Sequence, residues 1–408
     1  MVRILIIFFA LIISFSDASK AQPFSSEIPL ELSDSAHISV LTSAPWAEEA
    51  YAVFGHSAMR VYDPVYGIDI VFNYGLFDFN SPNFIYRFTA GETDYMVGAV
   101  SFKRYLPEYE YRGVAVHEQI INLTTAEKQK IWTFLLTNAE PENRVYRYNI
   151  FYNNCTTKLA DIIEQNIDGK VIYPQDTKSQ TIRNMLYEHI DKQPWLMFGI
   201  DLVIGSGADK PITIREKIFL PAYEMDIFDQ SHILNSDGTT RPLVLKKNLI
   251  LEDTNSDIIS ENNFISSPLF VGLILLAISV LVSIYGYKKK RAICTAYDFI
   301  LFLTAGIGGC IIFFMMFFSV HPCTNPNWNI VWLNPLQFIF AFLFFAKSLS
   351  KCVYYYHFIN FAVLIVFLLA WCLIPQQLEI AFIPIILAIA LRSGMRVLQY
   401  KKLKQKAG

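Results

Sequence analysis

The last third of the chain consists of long apolar stretches separated by short polar segments. Five stretches stand out: 270–287, 297–320, 330–346, 354–374 and 380–391. A helix that crosses a bilayer needs about 20 predominantly apolar residues. The fifth stretch can extend to 398 if the side chains of Arg392 and Arg396 reach towards the membrane surface. The pattern therefore predicts an all-α membrane bundle of five transmembrane helices within residues 266–400.

Basic residues indicate how this bundle is oriented. Lys and Arg follow the first, third and fifth stretches, whereas the loops 321–329 and 375–379 contain none. Basic residues beside membrane helices concentrate on the cytoplasmic side. We therefore expect both loops and the domain before the first stretch to lie outside the cytoplasm. The basic tail, residues 401–408, should be cytoplasmic.

The first 21 residues have the pattern of a secretory signal. Arg3 precedes the apolar run 4–13, and Ser19-Lys20-Ala21 follows as a small-x-small cleavage pattern. An uncleaved anchor helix is the alternative, but this run is short for crossing a bilayer. A signal peptide at residues 1–21 requires the same orientation as the basic residues do.

Residues 22–265 are polar enough to form a folded domain outside the membrane. Segments 53–62 and 68–74 read as strands, and the turn 63–67 joins them. Strands with alternating burial and short turns of this kind are typical of antiparallel sheets. We expect a hairpin here.

Two helices follow in the same domain. Thr124 and Glu127 have the spacing of a capping box, which opens one helix. Asn154 is a good N-cap for a second helix, which stops near 166–169. Together the strands and helices predict an α+β fold for residues 22–265.

The composition supports a membrane protein, and the net charge argues against one class of partner. Of 408 residues, 53% are hydrophobic and only 17% are charged, against about a quarter charged in soluble domains. The formal net charge of −2 argues against nucleic acid as a partner.

The placement of the six cysteines is more informative than their number. Only Cys155 lies within residues 22–265, so that domain cannot contain an internal disulfide. The others fall in the membrane part: Cys294, Cys310, Cys323, Cys352 and Cys372. A single cysteine in an oxidising compartment is a liability unless it is buried or used for chemistry.

Cys155 is a candidate nucleophile. With Asn154 as N-cap, it occupies the first helical position, where free N–H groups and the helix dipole lower the pKa of a thiol. A thiolate is what a cysteine enzyme needs for attack. The other interpretation, a small cysteine packed at a helix start, remains open from this segment alone.

His56, in the segment FGHSAMRV, is the candidate base and acid. Strand alternation puts it on one face with the small Ala58, which leaves room for a substrate beside the imidazole. A structural histidine is the alternative. Asn73, on the next strand, is our choice for the group that orients the ring, with Asp69 and Asp63 as competitors.

No other residue set suggests a cofactor or a metal. Beside Cys155 no pair of histidines or carboxylates has the spacing of metal ligands. The remaining histidines of the domain lie in no recognisable setting and are interpreted as surface or packing residues: His37, His117, His189 and His232.

The order of these residues resembles a known arrangement. Histidine on a strand, a polar residue on the next strand and cysteine at a helix start resemble the permuted papain-like fold of lecithin:retinol acyltransferases and NlpC-like hydrolases. Four segments in order are similar to the Bacteroidota apolipoprotein N-acyltransferase family, Lnb: FGHSAMRV, PENRVYRYNIFYNNCTTKLAD, WLMFGIDLVIGSGAD and HPCTNPNWNIVWLNPL.

The resemblance implies a reaction, a location and partners. An acyl chain would pass from a phospholipid donor, through a thioester on Cys155, to the α-amino group of the lipidated N-terminal cysteine of a lipoprotein. His56 would act as base and acid. The protein would lie in the bacterial inner membrane with its catalytic domain in the periplasm, and no cofactor is implied.

Two other functions stay open on the residues alone. One is a membrane-anchored cysteine hydrolase of lipid or cell-wall peptide that uses the same pair. The other is a membrane sensor or scaffold in which Cys155 is structural. Two segments are also ambiguous: 195–204 could meet lipid, cover an acyl chain or be core, and loop 321–329 could contact headgroups or anchor at the interface.

Overall fold

The computed structural model of the chain describes residues 28–49, 51–78, 81–254, 264–288 and 291–407. The predicted signal peptide and the basic residues Lys289 and Lys290 lie outside the described residues. The chain divides into two compact units. The first is formed by described residues within 1–179 and 211–259, and the second by described residues within 180–210 and 260–408.

The first unit contains two antiparallel sheets. Its strands are β1 (His37–Ser43), β2 (His56–Asp63), β3 (Ile68–Leu76), β4 (Asp94–Ser101), β5 (Val116–Ile121), β6 (Val145–Arg147), β7 (Gly169–Ile172), β8 (His232–Asn235), β9 (Thr240–Pro242) and β10 (Val244–Leu251). The larger sheet has the order β10-β5-β1-β2-β3-β4-β6, and the smaller has the order β7-β8-β9.

The helices of the first unit cover both faces of the larger sheet. They are α1 (Phe84–Ala90), α2 (Phe102–Arg112), α3 (Thr125–Ala139), α4 (Cys155–Asn166) and, after the segment that belongs to the second unit, α7 (Pro221–Gln230). On β2 the side chains of Met59 and Val61 join the core under α3 and α4. Ala58, which directly precedes Met59, joins the cluster that contains Tyr105 and Tyr109 of α2. This alternation is what a sheet buried on both sides requires.

The predicted hairpin is confirmed as β2 and β3, which pair antiparallel with Arg60 opposite Val71. The first strand begins at His56 and not at residue 53. Gly55 has a φ of +78°, and a Cβ there would lie 2.5 Å from the Ser43 carbonyl oxygen. The chain therefore turns sharply at a position that only glycine fits, and the strand begins directly after the turn.

Both predicted helix starts are confirmed. The Thr124 hydroxyl accepts the Glu127 N–H, and the Glu127 carboxylate accepts the Thr124 N–H, which closes the capping box of α3. Asn154 caps α4, whose first residue is Cys155. The described residues of this unit thus form a mixed α/β domain with two sheets.

The second unit is helical. Its helices are α5 (Ile182–Ile190), α6 (Pro194–Val203), α8 (Pro268–Lys288), α9 (Arg291–Phe317), α10 (Pro335–Leu343), α11 (Ser350–Leu369) and α12 (Phe382–Ala407). Among the described residues, four segments are long and apolar enough to cross a membrane: Pro268–Gly286, Cys294–Phe317, Lys347–Leu369 and Phe382–Lys402. The predicted third crossing contains α10, whose nine residues rise only about 13 Å.

The prediction that the Arg392 side chain reaches towards the membrane surface is wrong. Its side chain is fully buried, with Nε 2.6 Å from Asp298 Oδ1 and Nη1 2.6 Å from Ser283 Oγ. Arg396 Nε lies 2.5 Å from the other oxygen of Asp298. Because an uncompensated buried carboxylate is strongly destabilising, the arginine stays inside with its partner.

The polar loop 321–329 has a structural task that its sequence did not reveal. Asn327 and Asn329 are buried, and their side-chain N–H groups donate to the backbone carbonyls of Leu202 (2.9 Å) and Asp201 (2.7 Å). These contacts satisfy carbonyls at the end of α6 that lack partners within the helix. The two amides therefore hold α6 and are not left for a lipid headgroup.

Candidate active site

The helix start positions Cys155. The Asn154 side chain accepts the Thr157 N–H (3.0 Å) and donates to the carbonyls of Ile150 (2.9 Å) and Phe219 (2.7 Å). This single side chain caps the helix and ties the preceding loop to a distant segment, and it thereby fixes the position of Cys155. Cys155 is buried and its thiol is free.

The sheet brings His56 and Asn73 to the thiol. His56 opens β2, and Asn73 lies on the neighbouring β3; His56 Nε2 is 2.6 Å from Asn73 Oδ1. That contact leaves the other ring nitrogen for Cys155, whose side chain interacts with the imidazole. All three residues expected from the sequence thus share one site.

The competitors of Asn73 are engaged elsewhere. Arg60 Nε binds Asp69 Oδ1 at 2.7 Å, and the N–H and the hydroxyl of Ser33 each donate to Asp63 at 2.7 Å. Neither carboxylate therefore takes the position beside the imidazole. An amide oxygen orients the ring without adding a negative charge.

The electrostatics of the pair favour charge separation. Burial alone would raise the pKa of the Cys155 thiol, but His56 and the backbone N–H groups of Ser57 and Thr156 hold it below its ordinary value. Burial would lower the pKa of His56, but Cys155 and Asn73 hold it above its ordinary value. The arrangement favours a thiolate beside an imidazolium, which is the reactive form of a cysteine nucleophile.

Two backbone donors at the sulfur were not foreseen from the sequence. Thr156 lies in the first turn of α4, where N–H groups have no partner within the helix. Ser57 follows His56 on β2, so its N–H is positioned by the same strand that positions the base. The N-cap signal at Asn154 could have identified Thr156, whereas Ser57 is brought in only by the packing of α4 on β2.

A buried carboxyl on α7 is another neighbour that the sequence did not reveal. Glu224 is fully buried, and neither of its carboxyl oxygens makes a hydrogen bond of good geometry. Burial raises the pKa of Glu224 well above its ordinary range, with the Ser57 side chain opposing this shift and the charge of Cys155 adding to it. The group is therefore a neutral acid at the edge of the site.

Tyrosines complete the surroundings of the thiol. Tyr105 of α2, Tyr146 of β6 and Tyr148 all lie close enough to feel the charge of Cys155. Burial raises the pKa of each phenol, so all three are neutral donors at physiological pH. Burial by such rings limits the access of water to Cys155.

Metal chemistry has no candidate ligand set here. Within the described parts of the chain, no cluster of three or more His, Cys, Asp or Glu side chains could hold an ion. The groups around Cys155 are instead a base, an amide, backbone donors and phenols. This is the chemistry of a nucleophilic thiol.

Comparison with known families gives two matches. A model described as the Lnb N-terminal periplasmic domain matches residues 32–187, and one described as the Lnb transmembrane domain matches residues 259–403. Comparisons with curated proteins and with solved structures gave no match. With its four long apolar helices, the chain is a multi-pass membrane protein with a periplasmic domain.

Proposed function

Because the chain belongs to the Lnb family, we propose that it is an apolipoprotein N-acyltransferase that uses the Cys155 thiolate. In this proposal the acyl donor is a phospholipid and the acceptor is the α-amino group of a lipoprotein's lipidated N-terminal cysteine. The observation that carries the proposal is the contact of His56 with both Cys155 and Asn73 at a helix start.

The first half-reaction loads the enzyme. The Cys155 thiolate attacks the ester carbonyl of the donor, the carbon–oxygen bond to glycerol breaks, and the leaving alkoxide takes the proton of the His56 imidazolium. The N–H groups of Ser57 and Thr156, which face the sulfur, would also oppose the negative charge that develops on the carbonyl oxygen. A thioester and a lysophospholipid result.

The second half-reaction unloads it. The neutral α-amine of the acceptor attacks the thioester, His56 takes the amine proton, and the thiolate leaves. An amide is formed and the imidazolium is restored. Water must be kept from the thioester until the amine arrives, and the tyrosines around Cys155 serve that purpose.

The domain arrangement is part of the proposal. The catalytic part, residues 22–265, would adopt a permuted papain-like fold in the periplasm, and residues 266–400 would cross the membrane five times, with α10 and its flanking turns as the short third crossing. A short apolar segment can cross where the bilayer thins locally. An odd number of crossings puts the basic tail 401–408 in the cytoplasm, as the charge pattern demands.

The deciding experiment traps the first half-reaction. Purified protein in phospholipid vesicles without an acceptor should accumulate a hydroxylamine-labile acyl group on Cys155 and release little free fatty acid. A peptide with a diacylglyceryl-cysteine N-terminus should then discharge the acyl group into an amide. If free fatty acid forms as fast without acceptor as amide does with it, the protein is a lipid hydrolase and the proposal fails.

A further inference from the structure

An exposed apolar patch lies at the same end of the sheet as Cys155. It consists of Ile85, Tyr86 and Phe88 of α1 together with Ile150 and Tyr152 of the loop that leads to Cys155, each 41–60% exposed. The two segments lie at the same end of the sheet because β4, which follows α1, pairs with β6, which precedes the loop. Exposed apolar patches rimmed by polar residues mark binding surfaces or membrane contacts. We call these five side chains the apolar patch.

A row of neighbouring aromatic rings runs from this patch towards the thiol. From the surface inwards, the ring centroids are separated by 5.8 Å (Phe88 to Phe84), 5.9 Å (Phe84 to Phe77), 4.8 Å (Phe77 to Tyr95) and 4.0 Å (Tyr95 to Tyr148). Tyr148 is the end of the row that lies near Cys155. Tyr95 is buried, whereas Phe88 is exposed. We call these five residues the aromatic ladder.

The cations beside the patch are paired and do not select a charged partner. Arg87, the cation on α1, is paired with Asp94 at 2.6 Å, and Asp94 also binds Arg147 Nε at 2.9 Å. A nucleic acid or an acidic peptide would need a surplus of free cations. An uncharged apolar surface of this composition suits hydrocarbon and the polar–apolar boundary where tyrosine rings concentrate.

The bilayer is the apolar partner that this domain always has nearby. The chain enters the second unit at 180, returns at 211, and continues through residues 255–267 into the membrane segment that begins at Pro268. These connections tether the domain to the membrane segment. The ladder, in turn, ends near the sulfur atom that would accept an acyl group.

We propose that the apolar patch rests in the surface of the bilayer and that the aromatic ladder guides a phospholipid acyl chain from there to Cys155. This inference rests on the proposed acyl transfer from phospholipid, but its first part concerns lipid contact alone. The ring edges offer a continuous apolar track, while the inner rings keep water from the thioester.

Photo-crosslinking tests the contact without requiring catalysis. A benzophenone amino acid is placed at Ile85, and at Val65 in a matched control, because Val65 is equally apolar and exposed but lies in the turn at the opposite end of β2 and β3. In proteoliposomes, illumination should give a phospholipid adduct, detected by mass, at position 85 and not at 65. No adduct at 85, or equal adducts at both positions, would overturn the inference.

A substrate comparison tests the ladder. The double variant Ile85→Ser/Phe88→Ser, and separately Phe77→Ser, should slow acylation of Cys155 by vesicle phospholipid at least tenfold. Both should change acylation by the water-soluble ester p-nitrophenyl butyrate less than twofold, and Val65→Ser should change neither. Equal losses with the two donors would indicate a folding defect and contradict the ladder, as would no loss with phospholipid.

The two proposals fail in different ways. If the wild-type protein forms no acyl thioester from phospholipid, the proposed function falls, and the crosslink at Ile85 still reports whether the patch meets lipid. If the thioester forms but position 85 never reaches lipid, the docking inference alone falls.

Discussion

Each of the two units buries carboxyl groups, and Glu224 of the first unit differs from those of the second. In the second unit Asp298 lies between Arg392 and Arg396, and Asp201 is bound by Arg183 and by Tyr187. In the first unit Glu224 is as deeply buried but has no arginine or lysine in an ion pair among the described residues. The first unit also pairs buried carboxylates, Glu118 with Arg60 and Glu127 with Arg241, so the contrast is confined to Glu224.

Asp298 and Glu224 show the two ways in which a carboxyl group can be buried. A buried charge must be paired, or the group must take the neutral form, because uncompensated burial is costly. Pairing Glu224 with a cation would place a fixed positive charge near Cys155, whose thiolate already has His56 as its partner. A neutral acid avoids a competing charge beside the thiolate–imidazolium pair. Five predictions test this contrast.

The largest effect is expected at the nucleophile. Cys155→Ser should lower acyl transfer by several orders of magnitude, because a serine hydroxyl is essentially un-ionised at neutral pH. Circular dichroism and membrane insertion should be unchanged, since the volumes are similar. Substantial residual acyl transfer by the variant would mean that Cys155 is not the attacking atom.

The next largest effect is expected in the membrane unit. Asp298→Leu removes the partner of the buried Arg392 and of the partly exposed Arg396, and should destabilise the protein by about 3–5 kcal/mol. Unfolding in mixed micelles with increasing SDS measures this. Lys247→Met, which breaks the exposed pair with Asp229, is the matched control and should cause no measurable loss. Equal stability of the two variants would contradict the role given to the buried pair.

The third largest effect is expected at the His56 imidazole. Because the pKa of Cys155 is lowered and that of His56 is raised, the thiolate should persist as the pH falls towards neutrality and below. Iodoacetamide alkylation of the wild type should therefore slow less between pH 8 and pH 6.5 than alkylation of an ordinary thiol does. In His56→Ala the thiol would be ordinary and only about 1% ionised at pH 6.5. Its alkylation at that pH should be about 100-fold slower than that of a fully ionised thiol. Identical pH profiles of the wild type and the variant would mean that His56 does not influence the ionisation of Cys155.

Asn73 should matter less, because it acts through the ring. Asn73→Ala removes the 2.6 Å contact with Nε2 and should lower acyl transfer by about tenfold through misorientation of the base. The alkylation profile should move towards that of His56→Ala, and Asn73→Asp should restore orientation while raising the pKa of His56 further. Wild-type kinetics in Asn73→Ala would show that the ring is held by other groups.

The smallest effect is expected at Glu224. Since the acid is neutral, Glu224→Gln should leave the alkylation profile and acyl transfer within about twofold of wild type, whereas Glu224→Ala leaves a cavity and should cost stability. The comparison of the two variants separates charge from volume. A marked acceleration of alkylation in Glu224→Gln would mean that the carboxyl is ionised in the native protein.

The sequence by itself determined the features that depend on neighbouring residues. The capping box at Thr124, the cap at Asn154 with Cys155 behind it, the β2–β3 hairpin and four of the five predicted membrane spans all follow from local pattern. Local pattern works for these because helix caps, turns and membrane crossings are set by a few adjacent side chains.

Only the tertiary structure decided the features that depend on distant segments. The register of β2 and β3 puts Asn73 and not Asp69 beside His56. The packing of distant segments brings Ser57 and Glu224 near the thiol. It also turns Arg392 inwards, because Asp298 lies 94 positions away and no local rule pairs them. Burial changes what a polar group must do, and burial is a property of the assembled fold.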